Sequence, residues 1–438
     1  MVYAEESSFR DPAGQVIIEG NTYLRQVNPC YFDEYQHIMS SGLYDELADR
    51  ALLLKHTEIA RTSEAIVLEP EQLWFTSYPY EWCFSYLKQA ALVTLEANRI
   101  ALKYGMVLKD ASAYNIQWHN GRMALIDTLS FARYQEGQPW MAYRQFIEHF
   151  LSPLLLIAYG KGFLHRLPEV LMEGIPADVT AKLLPTRLKL KPSLLMHLYS
   201  QTLAKHIKSN RKVSMPRRNL GILLDSLEHL VTGLRYKPKS DWTEYQDADS
   251  YSKVAREAKK RIVGSMLAEV PEGSLCDLGA NTGEYSRLAR DIGYRVLAAD
   301  KDYDCVESIV RRHPDILTLV VDLCNPSPAI GWANKERRGF LERLKVDTIL
   351  ALALIHHLCI GNNVPVGKVA ELLANHCSNL IIEFVPPEDP KAGLLAGNKQ
   401  FPSYSQHLFE REFGRRFRIT QSVDIEGSCR SIYHMLVK

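Results

Sequence analysis

The chain has no charge of one sign to spare. It carries 52 Lys and Arg against 51 Asp and Glu in 438 residues, so no global field draws it to nucleic acid or an anionic membrane surface. Long hydrophobic runs are missing too. The longest, residues 150–159, is broken by Pro153 and falls far short of the ~20 apolar residues of a membrane span. Residues 1–11 are acidic and polar, which reads against a secretory signal. The eight cysteines form no CxxC pair and no His/Cys cluster at ligand spacing, so no metal site is expected. Repeats and low-complexity tracts are absent. What remains, 46% apolar and 24% charged residues, is the balance of a soluble globular protein. A cytoplasmic chain with buried free thiols is expected.

At this length two or three domains are expected. Residues 14–27 alternate around Glu19-Gly20-Asn21 as a β-hairpin. Helical spacing runs from about residue 31 to 57, extended chain over 66–76, and a long helix over 81–104 stopped by Gly105. Short strands at 116–118 and 123–126 flank Asn120-Gly121, a hairpin turn. Residues 140–236 read as largely helical, punctuated by Pro153, Pro168, Pro176, Pro185, Pro192 and Pro216. The basic stretch 205–218 reads as a solvated face. A linker at 236–240 separates regions 1–238 and 239–438. Past it, a helix near 251–267 leads into alternating strands and helices, with apolar strands at 274–278, 295–299, 318–321, 348–352 and 379–384. Residues 417–424 and 431–437 read as an antiparallel pair at a sheet edge.

The most informative stretch is Cys276-Asp277-Leu278-Gly279-Ala280-Asn281-Thr282-Gly283-Glu284-Tyr285. It reads as strand, glycine turn and helix start, followed by a second strand tipped by Asp300. That order is the nucleotide-binding half of a doubly wound sheet. Gly279 and Gly283 let the backbone approach a ligand where a Cβ would collide, and Asp300 can accept from ribose hydroxyls. The spacing D-x-G-x-x-x-G is not the G-x-G-x-x-G of a dinucleotide site. An acid two residues before the first glycine repels a pyrophosphate and suits an ammonium group. The structural rival, a nicotinamide dehydrogenase, is disfavoured by this spacing and by the antiparallel ending.

These residues, with Val321-Asp322-Leu323, resemble the class I S-adenosylmethionine (SAM) methyltransferases over about 239–438. The resemblance implies an α/β fold with a Rossmann-like seven-stranded methyltransferase domain and SAM as cofactor. Asp277, Gly279, Asn281 and Gly283 match the motif that faces the methionine and ribose parts of SAM. Asp300 matches the ribose-binding acid, and Asp322 the acid that meets the adenine amino group, with Leu323 flanking the ring. Residues 347–358 match the fourth motif. No Asn-Pro-Pro-Tyr stands there, which argues against the amino methyltransferases of DNA adenine and protein glutamine. His356 and His357 follow an apolar strand on the edge where open α/β sheets bind ligands, and a neutral imidazole there suits a general base. The bland reading is a helix cap or packing against SAM. Glu383 ends the strand 379–384, near the acceptor pocket or a metal, or else ion-paired within the protein. Phe401-Pro402-Ser403-Tyr404 is a candidate pocket wall, and Trp242-Thr243-Glu244-Tyr245 with Tyr251 a candidate closure over SAM.

Upstream, Asp110, Asn115 five residues later, and Asp127 after a tight hairpin have the spacing of kinase and aminoglycoside-phosphotransferase catalytic loops. There the first Asp orients a hydroxyl, while the Asn and second Asp hold magnesium on ATP. Residues 1–238 therefore resemble a mostly helical α+β kinase-like domain. Yet residues 14–27 contain no glycine-rich phosphate loop, no Lys occupies the phosphate-binding place, and Asp127-Thr128-Leu129 lacks the glycine after the metal-binding acid. A degenerate scaffold or substrate-binding module is expected, with ATP and magnesium doubtful. The combination resembles bacterial bidomain, nodulation-protein-like methyltransferases. The expected function is SAM-dependent O-methylation of a small molecule or saccharide. The alternatives are a bifunctional enzyme with an active ATP-dependent phosphotransferase, or a SAM-binding sensor without catalysis. Without a basic aromatic groove, no nucleic-acid partner is expected.

Overall fold

The structure, a computed structural model, describes residues 2–199, 214–238, 252–396 and 404–438. Residues 242–245 and 251, residues 401–403, residues 205–213 of the basic stretch and linker residues 239–240 lie outside the described residues. The chain divides into two compact units, Met1–Lys237 with Ala329–Arg338, and Pro238–Pro328 with Gly339–Lys438.

The first unit opens with strands β1 (Val2–Ala4), β2 (Gly14–Glu19), β3 (Thr22–Val27), β4 (His56–Arg61) and β5 (Ile66–Pro70). They form an antiparallel sheet in the order β1-β2-β3-β5-β4. The β2–β3 hairpin stands where alternation placed it, with Gly20 at φ 61°. Strand β4 replaces the end of the expected helical stretch: five of its six positions are exposed, so it has no apolar face to betray its period. The helix Phe84–Lys103 buries Leu87, Leu95 and Ile100 and ends before Gly105, at φ 72°. Next come β6 (Met106–Leu108), β7 (Ile116–His119), β8 (Arg122–Leu125) and β9 (Phe131–Arg133), paired β6–β9 and β7–β8. Asn120 and Gly121, at φ 47° and 85°, supply the left-handed turn between β7 and β8.

A contiguous division of the chain does not account for Ala329–Arg338, which packs as part of this first unit. Arg10 grips both oxygens of the buried Glu336, with Nη2 2.9 Å from Oε1. Arg338 pairs with Glu5 at 2.8 Å, and the Arg337 guanidinium lies 4.5 Å from the Tyr114 ring centroid. Such pairs join residues remote in sequence and leave no local pattern.

The second unit holds β10 (Ser274–Leu278), β11 (Arg295–Asp300), β12 (Leu317–Val320), β13 (Thr348–Ala351), β14 (Asn379–Phe384), β15 (Phe417–Asp424) and β16 (Ser431–Val437). Their order is β12-β11-β10-β13-β14-β16-β15. Strands β10 to β14 are parallel, while β16 runs antiparallel to both β14 and β15. Every residue of β12 and β13 is buried, as both-face coverage of a parallel sheet requires. Leu275, Ala298, Leu350 and Ile381 of the sheet share one core with Val263 and Met266 of the helix Lys253–Glu269. This is the expected Rossmann-like seven-stranded sheet with an antiparallel edge. The neighbours of β10 are β11 on one side and β13 on the other, so the topology switches there, at the edge where such sheets bind ligands.

Candidate functional site

The turn after β10 is built from left-handed residues. Gly279, Asn281 and Gly283 have φ of 78°, 50° and 81°. Gly279 N and Ala280 N donate to Ala299 O on β11 at 2.8 and 3.1 Å. A Cβ on Gly279 would sit 3.3 Å from Leu354 Cδ1. Asp300, at the tip of β11, fastens the turn: its Oδ2 accepts from Asn281 N and its Oδ1 from Asp302 N, both at 2.8 Å. Burial raises its pKa against those two bonds. Asp277 is 2% exposed, and its Oδ2 accepts from Ser286 Oγ at 2.6 Å. Burial pushes this carboxyl up to about 6, and the charge of Asp300 adds to the shift.

These groups open onto a cavity of about 290 Å³. Asp277, Gly279, Asn281, Asp300, Asp322 and Leu323 all line it. Gly283 differs from the expectation, since it is not among the lining residues. It starts the helix Glu284–Ile292 in a left-handed conformation, and a Cβ there would meet Ile309 Cγ1 at 3.0 Å. Its glycine is demanded by turn and packing. Asp322 lies just past β12 and accepts from Cys324 N through Oδ1 at 2.9 Å.

Across the cavity, beyond β13, stand His356 and His357, with ring centroids 4.3 Å apart. Burial lowers His356 to about 3, assisted by the charges of His357 and Arg430. Burial also lowers His357 to about 4, with Lys301 and Arg430 adding to it. Both rings are neutral at pH 7.

Of the two expectations for Glu383, an acid near the acceptor or a metal and one ion-paired within the protein, the structure shows the ion-paired one. Glu383 is fully buried and absent from the lining residues. Lys259 Nζ lies 2.7 Å from its Oε2, and Arg430 Nη1 donates to its Oε1 at 3.2 Å. Arg430 also forks onto Asp389, Nε to Oδ2 at 2.7 Å and Nη2 to Oδ1 at 3.0 Å. The topology explains the meeting: β16 runs antiparallel to β14, so the residue before Ser431 arrives at the carboxyl end of β14. Lys259 and Arg430, both lining residues, escaped the sequence reading. Each is a lone cation far from any motif, and only strand order brings them together. Among the described residues no group of three or more His, Cys, Asp or Glu is arranged to hold a metal ion. No described helix is long and apolar enough to cross a membrane.

In the first unit, the Asn115 and Asp127 side chains meet at Ser130, whose carbonyl also accepts from Asp110 N at 3.4 Å. Ser130 Oγ donates to Asp127 Oδ2 at 2.7 Å and accepts from Asn115 Nδ2 at 3.1 Å. Asp110 Oδ1 accepts from Ser112 N and Gln145 Nε2 at 2.9 and 2.7 Å. Arg25, on β3, pairs with Asp127 Oδ1 at 2.7 Å. No sequence motif marks this cation, which β3 brings to the acid only in the fold.

No family model matches the sequence. The chain is 32% identical over 452 residues to the nodulation protein NoeA of Rhizobium meliloti (strain 1021), covering 97% of this chain and 94% of that protein. Among solved structures, the N-methyltransferase NodS of Bradyrhizobium japonicum WM9 is 7% identical, with a TM-score of 0.34 over 42% of this chain and 98% of its own. The bifunctional kinase-methyltransferase WbdD is 16% identical, with a TM-score of 0.31 over 48% of this chain and 45% of its own. The identity to NoeA runs through both units, and the chain belongs to the family of that nodulation protein.

Proposed function

We propose that the second unit is a SAM-dependent methyltransferase acting on an oxygen of a small molecule or saccharide. The first unit is a scaffold or acceptor-binding module. The observation that carries this reading is the left-handed turn after β10, flanked by the carboxylates of Asp277 and Asp300 at the topological switch point.

The residues fit the cofactor. Asn281 Oδ1 is buried without a hydrogen-bond partner among the described residues, an acceptor that a bound donor would satisfy. Asp277 offers an anion to an ammonium group. Each oxygen of Asp300 takes one backbone N–H and keeps a lone pair for ribose hydroxyls. Asp322 accepts from Cys324 N through Oδ1, which leaves Oδ2 for an adenine amino group, with Leu323 beside it. When bound, SAM supplies a methyl group already activated on its sulfonium.

The chain's own work is to hold the acceptor in line and exclude water. His356 and His357 border the part of the cavity beyond β13. Incubation with SAM and a panel of hydroxyl-bearing saccharides and small molecules, read by mass spectrometry, tests the reading. A methylated oxygen is expected, and turnover is lost in the double variant His356→Ala/His357→Ala while S-adenosylhomocysteine still binds. Normal turnover in that variant removes the pair from the reaction.

The first unit's reading rests on Asp127. The acid that would hold magnesium in a kinase-like site instead carries the Arg25 guanidinium and bonds to Leu129 N and Ser130 Oγ. A fixed cation already stands where the metal's charge would be needed.

A further inference from the structure

We propose that His356 meets the methyl acceptor as a hydrogen-bond donor through Nε2–H and does not take up the acceptor's proton. The acceptor therefore presents an oxygen lone pair to it. This inference rests on the methyltransferase reading of the cavity and adds to it the role of one residue and the chemistry of the group it binds.

His356 is 2% exposed yet lines the cavity. Its Nδ1 is buried with no hydrogen-bond partner among the described residues, so Nε2 is the nitrogen left to meet a ligand. A neutral imidazole carries one N–H. A buried N–H without an acceptor is rarer in folded proteins than a buried lone pair without a donor. The proton therefore sits on Nε2, and the Nδ1 lone pair is the group left unmatched.

Proton uptake by this ring would place an N–H on Nδ1 where nothing receives it, at the full desolvation cost of an unmade bond. The charged surroundings point the same way. His357 and Arg430 oppose a positive ring, while Glu383 and Asp389 favour one. Those two carboxylates are already held by Lys259 and Arg430. Burial outweighs the remainder, so the ring stays neutral throughout the physiological range.

A donor at this place selects among acceptors. A hydroxyl oxygen has two lone pairs, so it can receive the Nε2–H bond with one and direct the other at the methyl group. As the carbon–oxygen bond forms and the carbon–sulfur bond breaks, the hydroxyl's own proton passes to His357, the other neutral ring lining the cavity. A neutral amine has a single lone pair, which a bond from His356 would occupy. A hydroxyl-bearing acceptor fits this site, and an amine does not.

The tautomer can be read without knowing the acceptor. The full chain, labelled with 15N-histidine, is followed by long-range 1H–15N correlation between about pH 5.5 and 8. The His356 signals are assigned by their loss in His356→Gln, or in His356→Asn should the first variant misfold. We expect a protonated Nε2, an unprotonated Nδ1 and no titration over that range. A protonated Nδ1, or a midpoint within the range, overturns the donor role. Calorimetry with S-adenosylhomocysteine on the same sample separates the two levels. Binding together with the wrong tautomer overturns the donor role alone, whereas no binding removes the methyltransferase reading and this inference with it.

Discussion

Burial raises the Asp277 carboxyl to about 6, against a single side-chain hydrogen bond from Ser286 Oγ that favours its ionised form. Holding it ionised at neutral pH costs on the order of 3 kcal/mol relative to an exposed acid. Because the folded value is raised, the stability this group contributes is complete at low pH and lost as pH rises through about 6. A ligand bearing an ammonium group reverses that preference, since it binds the carboxylate. Affinity for S-adenosylhomocysteine should be level above about pH 7 and fall by up to about tenfold per pH unit below 6. The Asp277→Asn variant should bind more weakly and lose this pH dependence. Level affinity in the wild type from about pH 5 to 8 contradicts the assignment. That Asp277, Gly279 and Asp300 share one cavity was legible in the sequence, because their placement follows from spacing along a strand, a turn and a second strand. The contacts of Gly283 with Ile309, and of Glu383 with Lys259 and Arg430, were not legible, because each depends on a partner brought in by the fold.

Strand β14, the start of β16 and the helix Lys253–Glu269 are tied at one point by Glu383, Arg430, Lys259 and Asp389. All four residues are at most 5% exposed. Buried ion pairs of this kind add little over a well-packed apolar substitute, but removing one partner strands the others and costs about 3–5 kcal/mol. Glu383→Ala should lower the stability of the second unit by that amount in denaturant unfolding. A change below about 1 kcal/mol, the range of exposed pairs, would show that the network is not closed. At this scale the five parallel strands of the second unit were readable from their apolar runs. Strand β4 was not, because nearly every side chain on it meets solvent. The edge pair β15–β16 was visible in the sequence, whereas its consequence, delivery of Arg430 to the cavity, required the strand order.

Two units of different architecture share this chain, and the residues that resemble a phosphotransferase site lie wholly in the first. There Arg25 neutralises Asp127, and Ser130 links Asp127 to Asn115. Incubation with ATP and magnesium should give neither hydrolysis nor phosphate transfer above background. Phosphate transfer that disappears on Asp127→Ala would make the protein bifunctional. The excursion Ala329–Arg338 could not be anticipated, since Glu5 and Arg10, the partners of Arg338 and Glu336, stand at the far end of the sequence. The proposed function rests on the left-handed turn after β10, and its direct test is calorimetric titration of the full chain with S-adenosylhomocysteine. One site per chain is expected in the wild type, with at least about tenfold weaker binding in Asp300→Ala, the loss of roughly 1.4 kcal/mol or more. A wild-type chain that binds no S-adenosylhomocysteine, or an Asp300→Ala variant that is folded and binds it equally well, contradicts the account.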